Sequence, residues 1–183
     1  MFELSTSLQQ LKRSAEALAV IEQYKSNKKV ITSLDLLLKH AELLEKDKPD
    51  AALGIYNDIL SQSDRHFAML NNAAMIHLKL GNTNKALLLA REALDKAPKM
   101  SAIQNTYGLT LLSANKNSEA EAYLKQAFMA NSKNDNYKVH YAMALFGNNK
   151  KDEAKKLISN INLQALNEFT LTKYNKLVES LGL

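Results

Sequence analysis

The sequence predicts an all-α fold, a solenoid of stacked helix pairs, and three observations predict it. The first is a period. Ala52, Ala86, Ala120 and Ala154 recur at one identical spacing, each inside a run with helical patterning. A fixed repeat of about 34 residues marks arrays in which each unit is a helix pair that buries its apolar face on its neighbours. The second is composition. Leu, Ala, Lys and Asn dominate, and two prolines and five glycines in 183 residues are too few for a many-turned β protein. The third is that each unit holds two apolar runs at helical spacing, separated by one short turn. Apolar residues make up 46% and charged residues 23%, the balance of a folded domain and not of a disordered chain.

Residues 67–100 are the clearest unit. Leu70, Ala73, Ala74 and His77 build one face of a first helix. Gly81-Asn82 follows, with glycine where a helix C-terminus wants a left-handed residue. Asn82 or Thr83 then caps a second helix, whose stripe is Ala86, Leu87, Ala90, Ala93 and Leu94. Pro98 ends the unit. Residues 101–134 repeat the pattern with Gln104, Tyr107, Gly108, Leu111, Ala120, Leu124 and Ala127. Residues 135–161 repeat it with Lys138, Tyr141, Ala142, Leu145, Ala154, Ile158 and Ile161. Ala74, Gly108 and Ala142 are small because the two helices of a pair approach closely there. Residues 33–66 form a fourth copy through Leu36, Leu43, Ala52, Tyr56 and Ile59. His40 stands where the other copies have Ala or Gly, so this pair is expected to be splayed or shifted.

The ends depart from the period. Leu4, Leu8, Leu11, Ala15, Leu18 and Ala19 predict a helix within 1–32 that covers the first pair. Leu163, Leu166, Phe169, Leu171, Tyr174, Leu177, Val178 and Leu181 predict one or two amphipathic helices within 162–183. Terminal repeats of solenoids are atypical because one of their faces meets water, so both segments read as caps. The whole chain, 1–183, is expected to form a single solenoid domain.

Tyr107-Gly108, Ala120, Leu124 and Ala127, with Ala73-Ala74, Ala86, Ala90, Ala93 and Pro98, resemble the tetratricopeptide repeat (TPR). The resemblance covers about residues 33–161. It implies a right-handed α-α superhelix of about four pairs, and a scaffold or adaptor that binds a peptide or helix of a protein partner. The run from Leu70-Asn71-Asn72-Ala73 to Ala154 is similar to the closing repeats of bacterial proteins of this family in envelope, pilus-biogenesis and exopolysaccharide-export systems.

In that family the first helices line a concave groove. The candidate docking residues here are the ladders Asn71 and Asn105, with Val139 breaking the series; Met75, Leu109 and Met143; and Leu78, Leu112 and Phe146. His140 joins them as the histidine beside the packing Tyr141. An amide supplies both a donor and an acceptor for a peptide backbone, and methionine adapts to varied partners. Such a groove can equally be filled by the chain's own terminal helix. The cationic clamp that some members use for a terminal carboxylate is not carried over. Its positions fall on Asn71, Asn136 and His140.

Other chemistries find little support. The chain has no cysteine, which excludes disulfides, thiolate metal sites and a cysteine nucleophile. No two of His40, His66, His77 and His140 lie three or four residues apart, so no helical metal pair exists and no metal or cofactor is expected. Ser26-Asn27-Lys28-Lys29 matches Ser-x-x-Lys without the motifs that would give it meaning. No glycine-rich phosphate loop is present, and an enzyme is not expected. The net charge of +5 is spread along the chain, with arginine only at Arg13, Arg65 and Arg91, unlike the concentrated patch of a nucleic-acid surface. A nucleic-acid-binding solenoid and a self-assembling structural module are the alternatives, the latter with homo-oligomers. No run is apolar enough to span a membrane, and Met1-Phe2-Glu3-Leu4 opens no signal peptide. The compartment is cytoplasmic if the chain is complete, and periplasmic or envelope-associated if it is an excised domain.

Overall fold

The fold was analysed in a computed structural model that describes residues 40–45, 47–62 and 66–183. The expected N-terminal cap, the Ser-x-x-Lys match and Leu36 lie outside the described residues. All regular structure among the described residues is helical. The helices are α1 (Pro49–Gln62), α2 (Phe67–Lys79), α3 (Thr83–Lys96), α4 (Ser101–Ser113), α5 (Asn117–Ala130), α6 (Asp135–Gly147), α7 (Lys151–Ile158) and α8 (Glu168–Leu181), with a 3-10 turn at Leu163–Ala165. Two compact units divide the chain, Met1–Met69 and Leu70–Leu183.

In the first unit a helical segment at 40–44 precedes α1. Ala41, Leu43, Leu44, Ala52, Leu53, Tyr56 and Leu60 are buried, as is His40. The Tyr56 hydroxyl donates to Glu45 Oε1 at 2.9 Å, tying α1 to the end of that segment.

The helix starts and turns show why the period exists. Second helices begin at Pro49, Thr83, Asn117 and Lys151, and first helices at Phe67, Ser101 and Asp135, each a full period after the last. The turn inside each pair is also periodic. Gly81 (φ +77°), Asn115 (φ +59°) and Asn149 (φ +62°) are left-handed and in register. Behind each, the next N–H reaches back to the helix: Asn82 to the His77 carbonyl, Lys116 to Leu111 and Lys150 to Leu145, at 2.8–2.9 Å. This left-handed C-terminal motif satisfies carbonyls that a helix end would otherwise leave bare. The glycine of the first turn matches expectation. The two asparagines do the same work because their short polar side chains tolerate this region.

The expected stripes are buried. Leu70, Ala73, Ala74 and His77 of α2 are covered, as are Ala86, Ala90, Ala93 and Leu94 of α3, while Leu87 is half-buried. Asn82 is the N-cap of α3, but its side chain makes no capping bond. Its Nδ2 instead lies 3.4 Å from His77 Nδ1. Close approach within a pair is plainest at Gly108, where a Cβ would fall 2.5 Å from Leu124 Cγ.

Neighbouring pairs are fastened at one edge in register. Thr83 Oγ1 meets Ser113 Oγ at 2.8 Å. One period later Asn117 donates to the Gly147 carbonyl at 2.9 Å. Asn148 returns a bond to the Asn117 carbonyl, and both Asn148 and Lys150 reach Glu121.

After α7 the chain closes on one helix. Glu168 starts α8 just short of a full period after Asp135, and α8 ends on left-handed Gly182, displaced equally from the register of Asn149. It is therefore a first helix without a second, slightly out of step. Asn175, exposed, stands where Gly108 and Ala142 pack in the complete pairs. That polar face suits a helix whose far side meets water. Toward the array, Leu177 and Leu181 join Ala142, Leu145, Ala154 and Ile158 in one core.

Candidate docking face on the first helices

The candidate residues lie on α2, α4 and α6. Asn71, Met75, Leu78, Leu112, Met143 and Phe146 are half-buried, and Leu109 is buried. Asn105 and His140 are 7% and 3% exposed, too covered to offer polar atoms to a partner. Their expected place on the open groove is corrected accordingly. His140 Nδ1 lies 2.8 Å from Asn105 Oδ1, and His140 Nε2 lies 2.9 Å from Thr170 Oγ1 of α8. The amide oxygen can only accept, so Nδ1 carries the proton and Nε2 accepts from the Thr170 hydroxyl. Both ring nitrogens of a neutral imidazole are then satisfied. Burial, with a smaller contribution from the Lys173 charge, lowers the His140 pKa to about 3.

The cause is the path of α8. Its first turns pack beside α6 as the next first helix and border the same face. Phe169 and Lys173 share a hollow of about 160 Å³ with Leu78, Leu109, Leu112 and Met143. A second hollow, about 210 Å³, joins Leu112, Met143 and Phe146 to Lys173, Lys176, Leu177 and Ser180. The structure thus brings together Leu78, Leu109, Leu112, Met143 and Phe146 and puts α8 beside them. Asn71 and Met75 line neither hollow. Lys173 Nζ sits 5.5 Å from the Phe169 ring centre, and Lys151 Nζ sits 6.0 Å from that of Phe146.

Phe169, Thr170, Lys173 and Lys176 escaped the sequence reading as site residues. The available signal was Tyr174, almost a full period after Tyr141, which marks 168–181 as a further first helix.

The N-terminus of α6 carries the other polar cluster. Asp135 pairs with Lys138 at 2.7 Å and accepts from the Asn162 N–H at 3.0 Å. Burial pushes its pKa up, but the Lys138 and Asn162 hydrogen bonds and the Lys138 charge outweigh this and hold it below the usual carboxylate value. Asn136 donates to the Ala165 carbonyl and accepts from the Asn167 N–H, which fixes the approach to α8.

A hollow of about 500 Å³ opens between α6 and α7 beside Tyr141 and Leu157 and holds no candidate residue. One period earlier Tyr123 packs edge-on against Tyr107 at 4.9 Å, and Leu157 stands in its register.

No group of three or more His, Asp or Glu among the described residues could hold a metal ion. No described helix is long and apolar enough to cross a membrane.

Helix pairs in a common register, followed at the C-terminal end by a capping helix, define an α-α repeat solenoid. Tetratricopeptide-repeat family models match residues 42–101 and 111–173, together more than half of the chain. The chain belongs to the tetratricopeptide-repeat family. Among solved structures it is similar to the thermophilic TPR protein TTC0263 of Thermus thermophilus, with TM-score 0.74, 19% identity, and 97% of each chain covered. It is also similar to PilF of Pseudomonas aeruginosa, with TM-score 0.71, 18% identity, 98% of this chain and 89% of that one. MamA from Desulfovibrio magneticus RS-1 follows at TM-score 0.68 and 17% identity, covering 97% of this chain and 93% of that one. At these identities the likeness is one of fold. No curated protein matches the chain significantly. Members of the family are in general non-enzymatic scaffolds, and membership supports a general protein-interaction or scaffold role for this chain.

Proposed function

We propose that the face formed by α2, α4 and α6 captures a peptide or helix of a partner protein. One observation carries this reading. Met75, Leu78, Leu112, Met143 and Phe146 remain half-buried on one face after the chain has closed its own C-terminus with α8. An apolar strip kept at partial exposure, with the Asn71 amide at one edge, matches what helix-in-groove and peptide-in-groove recognition require. In this reading Asn71, Met75, Leu78, Leu112, Met143 and Phe146 touch the partner. Asn105, Leu109 and His140 lie beneath and hold the surface in place.

Partner capture by a Met143→Glu/Leu112→Ser variant tests it, with helicity and melting followed in parallel. Loss of capture at unchanged helicity supports the reading. Undiminished capture by a folded variant overturns it.

A further inference from the structure

The capping helix adds charge to an otherwise apolar face. The two hollows beside α8 are lined by Leu, Met and Phe from α2, α4 and α6, and by Phe169, Lys173, Lys176 and Leu177 from α8. Among the described residues no carboxylate lines either one. Lys173 and Lys151 lean over the rings of Phe169 and Phe146, an arrangement that holds a cation above an apolar floor. None of Lys151, Lys173 and Lys176 belongs to an ion pair among the described residues, whereas Lys138 and Lys150 each hold a carboxylate. At about 160 and 210 Å³ the hollows fall below the size of small-molecule pockets and suit single apolar side chains.

We propose that this end of the face selects an acidic segment of a protein partner: an apolar side chain enters the hollow between Leu112, Met143 and Phe146, and flanking Asp or Glu carboxylates meet Lys173, Lys176 and Lys151. This rests on the docking reading above and adds the partner's chemistry to it. The selectivity comes from the capping helix, which supplies Lys173 and Lys176. Desolvating a lysine over an aromatic ring costs less when a carboxylate arrives with the ligand, and a basic partner would bring like charges together. The lysines should set specificity and association rate, and the apolar floor should set residence time.

The probe is a display library of short random peptides selected on the full chain, on Lys173→Gln/Lys176→Gln, and on Met143→Glu with Phe146→Ser as a second floor variant. On the wild type, selected peptides should carry an apolar anchor flanked by Asp or Glu. On the lysine variant the anchor should persist and the acidic flanks disappear. On either floor variant enrichment should vanish. A synthetic peptide from the wild-type selection should lose about tenfold in affinity on the lysine variant and also in ~0.5 M salt, where charges are screened within a few ångström. Apolar anchors without acidic flanks would overturn this inference and leave the docking reading standing. No enrichment on the wild type, or enrichment that survives both floor variants, would overturn both.

Discussion

Asn105 and His140 meet 2.8 Å apart across α4 and α6, and the same imidazole reaches Thr170 of α8 on its other side. Three consecutive helices of the first-helix layer are thus joined by one buried chain of hydrogen bonds. In such a network each member is costly to remove, because its partners stay buried without bonds. Asn71 is in register with Asn105 but differs in kind. It makes a long 3.5 Å bond to Asn72, and its Oδ1 is buried without a hydrogen-bond partner among the described residues.

Asn105→Ala should therefore destabilise the fold by about 1–3 kcal/mol, the cost of stranding a buried polar group. Asn71→Ala should stay within about 0.5 kcal/mol, as for sites without such a feature. Urea unfolding at neutral pH checks both. Equal losses would show that the Asn105–His140 bond contributes nothing special. The contrast also governs partner assays: of the two asparagines, a substitution at Asn105 tests stability, and only one at Asn71 can test docking.

Acid should weaken the protein through His140. Its pKa is lowered from 6.5 to about 3 in the fold, so the unfolded chain binds the extra proton first. The stability this histidine contributes is fully present above about pH 6.5 and is lost as pH falls toward 3. Over that window it adds a slope of about 1.4 kcal/mol per pH unit, one proton's worth. His140→Gln should remove this part of the slope. Because His140 anchors Thr170, amide protection in α8, corrected for the pH dependence of intrinsic exchange, should fall on acidification before that in α4. An unchanged slope in the variant would assign the acid sensitivity elsewhere, for instance to His77, whose pKa burial and Lys85 also lower.

The fold was largely legible because its cause is periodic. A helix pair that buries the same face on the same neighbour needs small residues at the same places, and Ala86, Ala120 and Ala154 announce this. The arrangement of the candidate face was only partly legible. Strict register put Val139 level with Asn71 and Asn105, yet the bond from Asn105 runs to His140, one residue beyond it. Hydrogen bonds follow side-chain reach between crossed helices, not the repeat count. The capping helix was visible as an amphipathic run, but its place beside the face was not. That place is fixed by Thr170 meeting His140, and Phe169 borders the same hollow as Leu109, long-range relations that no local pattern encodes.

The left-handed turns make a prediction in series. Gly81, Asn115 and Asn149 occupy one position of the repeat with positive φ. Alanine has neither glycine's freedom nor asparagine's short polar side chain. Gly81→Ala, Asn115→Ala and Asn149→Ala should each cost about 1–2 kcal/mol, or roughly 2–4 °C per kcal/mol in a chain of this size. Asn115→Gly and Asn149→Gly should leave the melting temperature unchanged or raise it. A series of scans on five single variants decides this, and a neutral alanine at any of the three would contradict the geometry there.

Gly108 and Leu124 test how the pairs are packed. A Cβ on Gly108 would lie 2.5 Å from Leu124 Cγ, the branch point of a fully buried side chain. Alanine gains up to about 1 kcal/mol over glycine in a helix, but overpacking a closed core costs about 1–3 kcal/mol. The collision is with a branched carbon that cannot swing away, so Gly108→Ala should be a net loss. Leu124→Ala alone leaves a cavity and should cost about 2–5 kcal/mol. Combined, the two rebuild the small pair that Ala74 and Ala90 already form two helices earlier, where both residues are buried. The double variant should then lose less than the sum of the singles by at least about 0.5 kcal/mol, the scale of coupling between contacting residues. Additive losses in a double-mutant cycle would mean that the glycine is not there to admit the leucine.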